Sequence, residues 1–269
     1  MRSSRVSALE SRKDMRYLDS HAHIFSEEFA EDFDAVLARA EAARGRRMVL
    51  ITTAADEAER AMAFAAKQPQ RFQAAYGIHP EDIRTVTEEK IAEMTRIAAD
   101  PRLSFVGEIG LDYHWEKEMA EAQKELFIRQ IEIARQVGKP IMVHSRDAHQ
   151  DTFDILKEHH VPGVLHCFAG SAELAREYVK LGYYIALGGA VTFKNARHAK
   201  EVCAAIDPAY LLSETDCPYM SPEPVRGTRN EPANIPHIVR VMAQVRQVSE
   251  EAMAEQIWQN GQRFLGVME

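Results

Sequence analysis

Cysteine is scarce: Cys167, Cys203 and Cys217 are the only three in 269 residues. So small and odd a number cannot build a disulfide framework, and it fits a reducing cytoplasm. No apolar run approaches the roughly 18 residues of a membrane span. The first 16 residues are polar, with four arginines and one lysine, and lack the apolar segment of a signal peptide. Residues 1–15 read as a loose disordered tail, or as an upstream start before Met15, ahead of one domain over residues 16–269. No segment is repetitive or of low complexity. Positive charge is also short: 33 Lys plus Arg stand against 41 Asp plus Glu, a net charge of −8. That excludes coating of long nucleic acids through a broad basic face. Binding of a strand end at a metal centre survives the exclusion, because an ion supplies local positive charge. No Gly-x-Gly-x-x-Gly follows the first apolar stretch, which excludes the dinucleotide fingerprint.

Apolar residues make up 46% of the chain, enough for a full core, and their spacing alternates between two periods. Tyr17-Leu18-Asp19-Ser20-His21-Ala22-His23 reads as a short first strand. Helical spacing of Phe29, Phe33, Val36, Leu37 and Ala40 predicts a helix over 27–44, stopped by Gly45. The continuous run Met48-Val49-Leu50-Ile51-Thr52 predicts a strand buried on both faces. Further strands are expected at 72–78, 103–108, 140–144, 163–166, 183–187 and 210–214. Helices are expected between them, and two more, at 235–246 and 250–259, close the chain. The clearest helix covers 120–137, with Leu126, Phe127, Ile131, Ala134 and Val137 as its stripe and Gly138 at its C-cap. Strands separated by helices imply parallel βαβ units. Eight of them favour an α/β fold closed as a (β/α)8 TIM barrel, whose active site lies at the C-terminal ends of the strands.

That rim is where the histidines and acids concentrate. Alternate side chains of an extended segment share a face, so His21 and His23 point the same way and can grip one ion. Strand four ends in Glu108, strand five in His144 and strand six in His166, and Asp216 follows strand eight. One histidine at a strand end is more often a structural residue. Six such groups are not expected to converge by accident, since unpaired buried charges are costly. A catalytic zinc takes about three protein ligands, so six candidates point to two divalent ions bridged by a carboxylate, which suits phosphoester hydrolysis. Imidazoles suit zinc, whereas carboxylates also admit manganese or magnesium.

Six stretches carry a family likeness: Asp19-Ser20-His21-Ala22-His23, Gly77-Ile78-His79-Pro80, Gly107-Glu108-Ile109-Gly110-Leu111-Asp112-Tyr113, Val143-His144-Ser145-Arg146, His166-Cys167-Phe168-Ala169-Gly170 and Glu214-Thr215-Asp216-Cys217-Pro218. With the later Arg226-Gly227-Thr228-Arg229-Asn230-Glu231-Pro232, the chain resembles the TatD-type metal-dependent hydrolases of the amidohydrolase-like superfamily from about Tyr17 onwards. The resemblance implies that His21, His23 and Asp216 hold one ion, His144 and His166 the other, and that Glu108 bridges them. It implies a deoxyribonuclease acting on DNA ends, with Asp216 as the base that takes the water's proton. D-aminoacyl-tRNA deacylation and small-molecule amide or lactone hydrolysis are the alternatives. The last is disfavoured because its enzymes often bridge metals with a modified lysine, and here the fourth strand ends in Glu108. A binding module without catalysis is disfavoured by the complete ligand set. One departure from the family pattern is Glu81, where many members carry a histidine.

Around these ligands, His79 is expected to contact phosphate or to order a ligand. Arg226 and Arg229 clamp a phosphate or lie in a solvated loop, and Arg146 contacts phosphate or pairs with Asp112. Asp112 and Tyr113 support the loop after Glu108, and Glu214 orients a ligand or pairs with a base. Cys167 and Cys217 have no base beside them in sequence and are not expected to be nucleophiles. His114, His149, His159, His160, His198 and His237 are expected at the surface or in structural roles. The protein is expected to be a monomer or small homo-oligomer.

Overall fold

Strands and helices alternate along the chain in the computed structural model, which describes residues 15–266. The strands are β1 (Tyr17–Ala22), β2 (Gly45–Thr52), β3 (Phe72–Tyr76), β4 (Leu103–Asp112), β5 (Ile141–Arg146), β6 (Gly163–Leu165), β7 (Tyr184–Leu187) and β8 (Leu211–Ser213). They form one eight-stranded sheet in sequence order, and each neighbouring pair is parallel. The helices are α1 (Phe33–Ala42), α2 (Ala55–Ala65), α3 (Glu88–Ala98), α4 (Ala120–Val137), α5 (His149–Glu158), α6 (Ala172–Lys180), α7 (Arg197–Ala205), α8 (Ile235–Arg246) and α9 (Glu250–Leu265). None of the helices among the described residues is long and apolar enough to cross a membrane.

The seam between β8 and β1 is stitched by hydrogen bonds that also set the site. Ser213 Oγ donates to Leu18 O at 2.8 Å, Asp216 N to His21 O at 2.9 Å and His23 N to Cys217 O at 2.9 Å. Ala22 and Cys217 form a parallel bridge. Asp19, buried under the seam, accepts from Thr215 N at 2.9 Å and Thr215 Oγ1 at 2.6 Å. The closure of the (β/α)8 barrel thus brings the strand-one histidines against the Asp216 turn.

Element bounds follow the sequence pattern with local differences. The helix expected over 27–44 splits into a 3-10 turn, Glu27–Phe29, and α1. Gly45 opens β2 and does not cap the helix. Arg44 takes the left-handed conformation instead, at φ 66°, while Gly45 is small because a Cβ there would lie 3.0 Å from Ala40 O. The final helix runs on to Leu265 and is capped by Gly266 at φ 65°. Of the expected tail, residues 1–14 lie outside the described residues; Met15 packs against the core.

α4 has the bounds and Gly138 cap the pattern predicts. Its buried face carries two glutamines as well as the apolar stripe. Gln130 Oε1 accepts from Ile78 N at 2.8 Å and its Nε2 donates to Ile78 O at 3.0 Å. Gln123 treats Asp112 in the same way, at 2.8 and 2.9 Å. Seven residues, about two helical turns, separate them. Each therefore satisfies the main chain of one βα loop that no strand neighbour could satisfy, fixing the turns that carry His79 and Asp112.

Candidate metal centre

Two strand irregularities aim the central side chains. From Asp19 to Ala22 β1 takes three steps while β2 takes two, Met48 to Leu50. From Val106 to Ile109 β4 takes three steps while β5 takes two, Ile141 to Val143. An extra residue bends a strand and re-aims its side chains; the first of these stretches holds His21 and the second Glu108. Gly110 follows at φ 149°, where a Cβ would come within 1.9 Å of His144 O, so only glycine lets β4 approach β5. Three further turns on this rim pass through left-handed conformations at non-glycine residues: Asp147 (φ 54°), Cys167 (φ 42°) and Asp216 (φ 56°). Such residues persist where surrounding structure holds them, and they cluster at functional sites.

The six expected ligands converge on one point, and Glu108 divides them. Glu108 Oε2 lies 3.2 Å from His21 Nε2 and 3.6 Å from His23 Nε2. Those two nitrogens are 3.1 Å apart, and Asp216 Oδ1 lies 3.8 and 3.6 Å from them. With bonds of about 2.0–2.1 Å, ligand atoms on a tetrahedral ion sit roughly 3.4 Å apart. The His21, His23 and Glu108 atoms, 3.1 to 3.6 Å apart, have close to that spacing. On the other side Glu108 Oε1 lies 2.6 Å from His166 Nε2, 2.8 Å from His144 Nδ1 and 3.5 Å from His79 Nε2. His144 Nδ1 and His166 Nε2 are 3.3 Å apart. His21, His23 and Glu108 form one group able to hold an ion, and His79, Glu108 and His144 another.

Burial pushes the His21 and His23 imidazoles down, so they offer neutral lone pairs, and it pushes the Asp216 carboxyl up. Burial also opposes charge on Glu108, but His166, His21 and His79 outweigh it and hold that carboxyl well below its usual range. The counterpart is His166, raised to about 10 against its burial by Glu108. A cation on this side would compete with that proton, so binding should release protons.

Outside the ligand atoms, His144 Nε2 lies 2.9 Å from Asp112 Oδ2, a contact that turns Nδ1 towards Glu108. Asp112 therefore serves His144, and the expected pairing with Arg146 does not form; the Arg146 guanidinium lies over the Trp115 ring, 5.6 Å from its centroid. Glu214 is buried, with Oε1 3.7 Å from His166 Nδ1 and accepting from Cys167 N. Among the described residues, Glu214 Oε2, His166 Nδ1 and His21 Nδ1 are buried without a hydrogen-bond partner. The His21 and His166 rings stack at 3.9 Å, and His21, His166 and Glu214 form a third group with donor atoms within 4.8 Å of one another.

The two loop arginines do not meet this cluster through any contact in the structure. Arg229 donates to both oxygens of Asp32 at 2.8 and 2.9 Å and lies over Phe29. Arg226 lies over Phe193 at 4.1 Å. Sequence reading passed over Trp115 and Tyr219, which stand exposed on this rim; exposure of a large aromatic cannot be read from its neighbours in sequence. Cys167 and Cys217 have thiols pushed well up by burial, which removes the thiolate a nucleophile requires.

A family model described as TatD related DNase matches residues 18–266. The chain is 40% identical over 252 residues to the uncharacterized metal-dependent hydrolase YabD of Bacillus subtilis, covering 93% of this chain and 98% of that protein. It is 34% identical over 259 residues to the uncharacterized metal-dependent hydrolase TatD of Mycobacterium tuberculosis, covering 93% and 98%. The crystal structure of YJJV, a TatD homolog from Escherichia coli, superposes with a TM-score of 0.87 at 29% identity, covering 94% of this chain and 99% of that one.

Proposed function

We infer that this chain, a metal-dependent hydrolase that belongs to the TatD-related DNase family, hydrolyses phosphodiester bonds at the ends of DNA strands. The observation that carries the reading is the division at Glu108. Its Oε2 faces His21, His23 and Asp216, and its Oε1 faces His144, His166 and His79. One carboxylate between two donor sets suits two divalent ions, of zinc, manganese or magnesium. Bound there, the ions would supply a water acidic enough to attack at neutral pH and would neutralise charge on the phosphate. The remaining work falls to the chain. Asp216 takes the proton of the attacking water. His79 and Arg146 bind the phosphate, and Arg226 and Arg229 shape the outer loop. The family's description as DNases supports DNA over other esters, and the net charge of −8 supports action at ends over sliding along duplexes. The unit is one barrel domain, in the cytoplasm, as a monomer or small homo-oligomer.

Within this reading Glu214 is a positioning residue. Its carboxyl group faces His166 Nδ1 at 3.7 Å without a hydrogen bond, and its charge favours a proton on that nitrogen, leaving Nε2 for the ion. Glu214→Gln should weaken divalent-metal affinity about 10- to 100-fold, measured by competition with a chelating dye, with an unchanged circular dichroism spectrum. Unchanged affinity would remove Glu214 from this role. The function itself is tested by release of mononucleotides from an end-labelled oligonucleotide, with and without chelator, beside D-aminoacyl-tRNA as the competing substrate. Metal-dependent turnover of the tRNA ester alone would overturn the phosphodiesterase reading.

A further inference from the structure

The turn that carries Asp216 leaves the barrel beyond the last residue of β8. Asp216 stands there at φ 56°, a conformation that a non-glycine residue keeps only where its surroundings impose it. Its N donates to His21 O and its O accepts from Tyr219 N, both at 2.9 Å. Three other carbonyls of this stretch, those of Thr215, Pro218 and Tyr219, are taken up by one residue, Asn230. Asn230 Nδ2 donates to Thr215 O at 2.8 Å and to Tyr219 O at 2.7 Å, and Asn230 N donates to Pro218 O at 3.0 Å. Its Oδ1 accepts from Glu231 N and from Asn234 Nδ2, each at 2.9 Å. The side chain is fully buried. A main-chain N–H only donates and a carbonyl only accepts, so the partners fix which end of the amide is which, and every donor and lone pair of it is used. Aspartate would bring no donor to the two carbonyls, and an apolar side chain would leave them buried and unpaired.

Asn230 is itself anchored on both sides. Arg229 donates to both oxygens of Asp32 at 2.8 and 2.9 Å. Glu231 accepts from Arg39 Nε and Nη2 at 2.6 to 2.9 Å, and Arg39 Nη2 also donates to Asp32 at 2.9 Å. These four charges tie the segment to α1 and to the residue before it, on the connection that follows His23. The Asp216 turn is thus referred to the strand-one histidines twice, directly at the seam and again through Asn230.

We propose that Asn230 is a positioning residue for Asp216: its amide holds the turn so that the carboxylate stands where it can take the water's proton. This deepens the phosphodiesterase reading and rests on it, with Asp216 as the base. A base must lie within hydrogen-bond reach of the proton it abstracts, and a displacement of about 1 Å can cost roughly 100-fold in rate. A buried polar network with every member satisfied supplies the rigidity this demands.

The fold contains its own control. Asn260 in α9 is also fully buried, and its Nδ2 donates to Pro208 O and Leu211 O, both at 2.7 Å. Asn230→Ala and Asn260→Ala therefore delete the same chemistry at the two ends of β8. Both should lower the denaturant midpoint of the full-length protein. Only Asn230→Ala should lower kcat on an end-labelled oligonucleotide, about 10- to 100-fold, with KM and metal content unchanged. Placed on Asp216→Asn, it should cost almost nothing further, because a base already removed cannot be misplaced. Asn230→Asp keeps Oδ1 and loses only the two donations, and it carries the same expectations if the alanine variant does not fold. Wild-type kcat in a folded Asn230 variant, an equal fall in Asn260→Ala, or a full additional loss on Asp216→Asn would overturn the positioning role. Failure of the underlying reading looks different: Asp216→Asn alone would keep its activity, or the wild-type protein would cleave no phosphodiester, and the role of Asn230 would fall with it.

Discussion

Asp216→Asn should yield a folded, metal-loaded protein whose kcat is about 100- to 10,000-fold below wild type, the usual worth of general base catalysis. The substitution is mild for structure. Asp216 sits at φ 56°, a left-handed conformation that asparagine tolerates at least as well as aspartate. Its main-chain bond to His21 O does not involve the side chain. An amide keeps one oxygen for the ion at the position of Oδ1, 3.6 Å from His23 Nε2, while His21, His23 and Glu108 remain. What the amide loses is the ability to take a proton near neutral pH. Metal content by elemental analysis, substrate affinity and kcat are measured on one preparation. Metal lost in proportion to activity would make Asp216 a ligand only, and activity within about threefold of wild type, well inside the base-catalysis range, would take it out of the mechanism.

Glu108→Gln should do more damage, because one side chain serves both donor sets. Glu108 is 3% exposed, and no water can replace its charge among the surrounding imidazoles. Glutamine offers one oxygen in place of two. Its amide group would face either His21 and His23 or His144 and His166, in each case a place where a cation needs a lone pair. The expected outcome is a fall from two divalent ions per chain to less than one, with activity at background. Stability in the metal-free form also drops, since removing one partner from a buried charged cluster costs about 3–5 kcal/mol. Denaturant midpoints of the metal-free proteins check the second effect and elemental analysis the first. A variant that still carries two ions would show that Glu108 does not bridge them.

The barrel was legible because a parallel sheet covered by helices writes itself as apolar runs such as Met48–Thr52 alternating with helical stripes, and α4 with its Gly138 cap follows that rule along its whole length. The convergence of the candidate donors was legible for a related reason: strand ends gather on one rim, so His21, Glu108, His144 and His166 needed only their strands to be placed. How they are aimed was not legible. A regular alternation along β1 and β4 does not contain the extra residue that each inserts against its neighbour. The left-handed turns at Asp147, Cys167 and Asp216 carry no glycine to announce them. Long-range partners were hidden too: Arg229 meets Asp32 across 197 positions, and Gln130 meets Ile78 across 52. A glutamine on an apolar stripe reads as a break in the pattern until the main chain it satisfies is seen.

The account stands most directly on the number of ions that hydrolysis requires. Metal-free protein is titrated with zinc or manganese, and initial rates on an end-labelled single-stranded oligonucleotide are recorded against equivalents added. The account predicts little activity up to one equivalent per chain, a rise that saturates at two, and mononucleotide products. Full activity at a single equivalent, or no hydrolysis of the oligonucleotide at any loading, would contradict it.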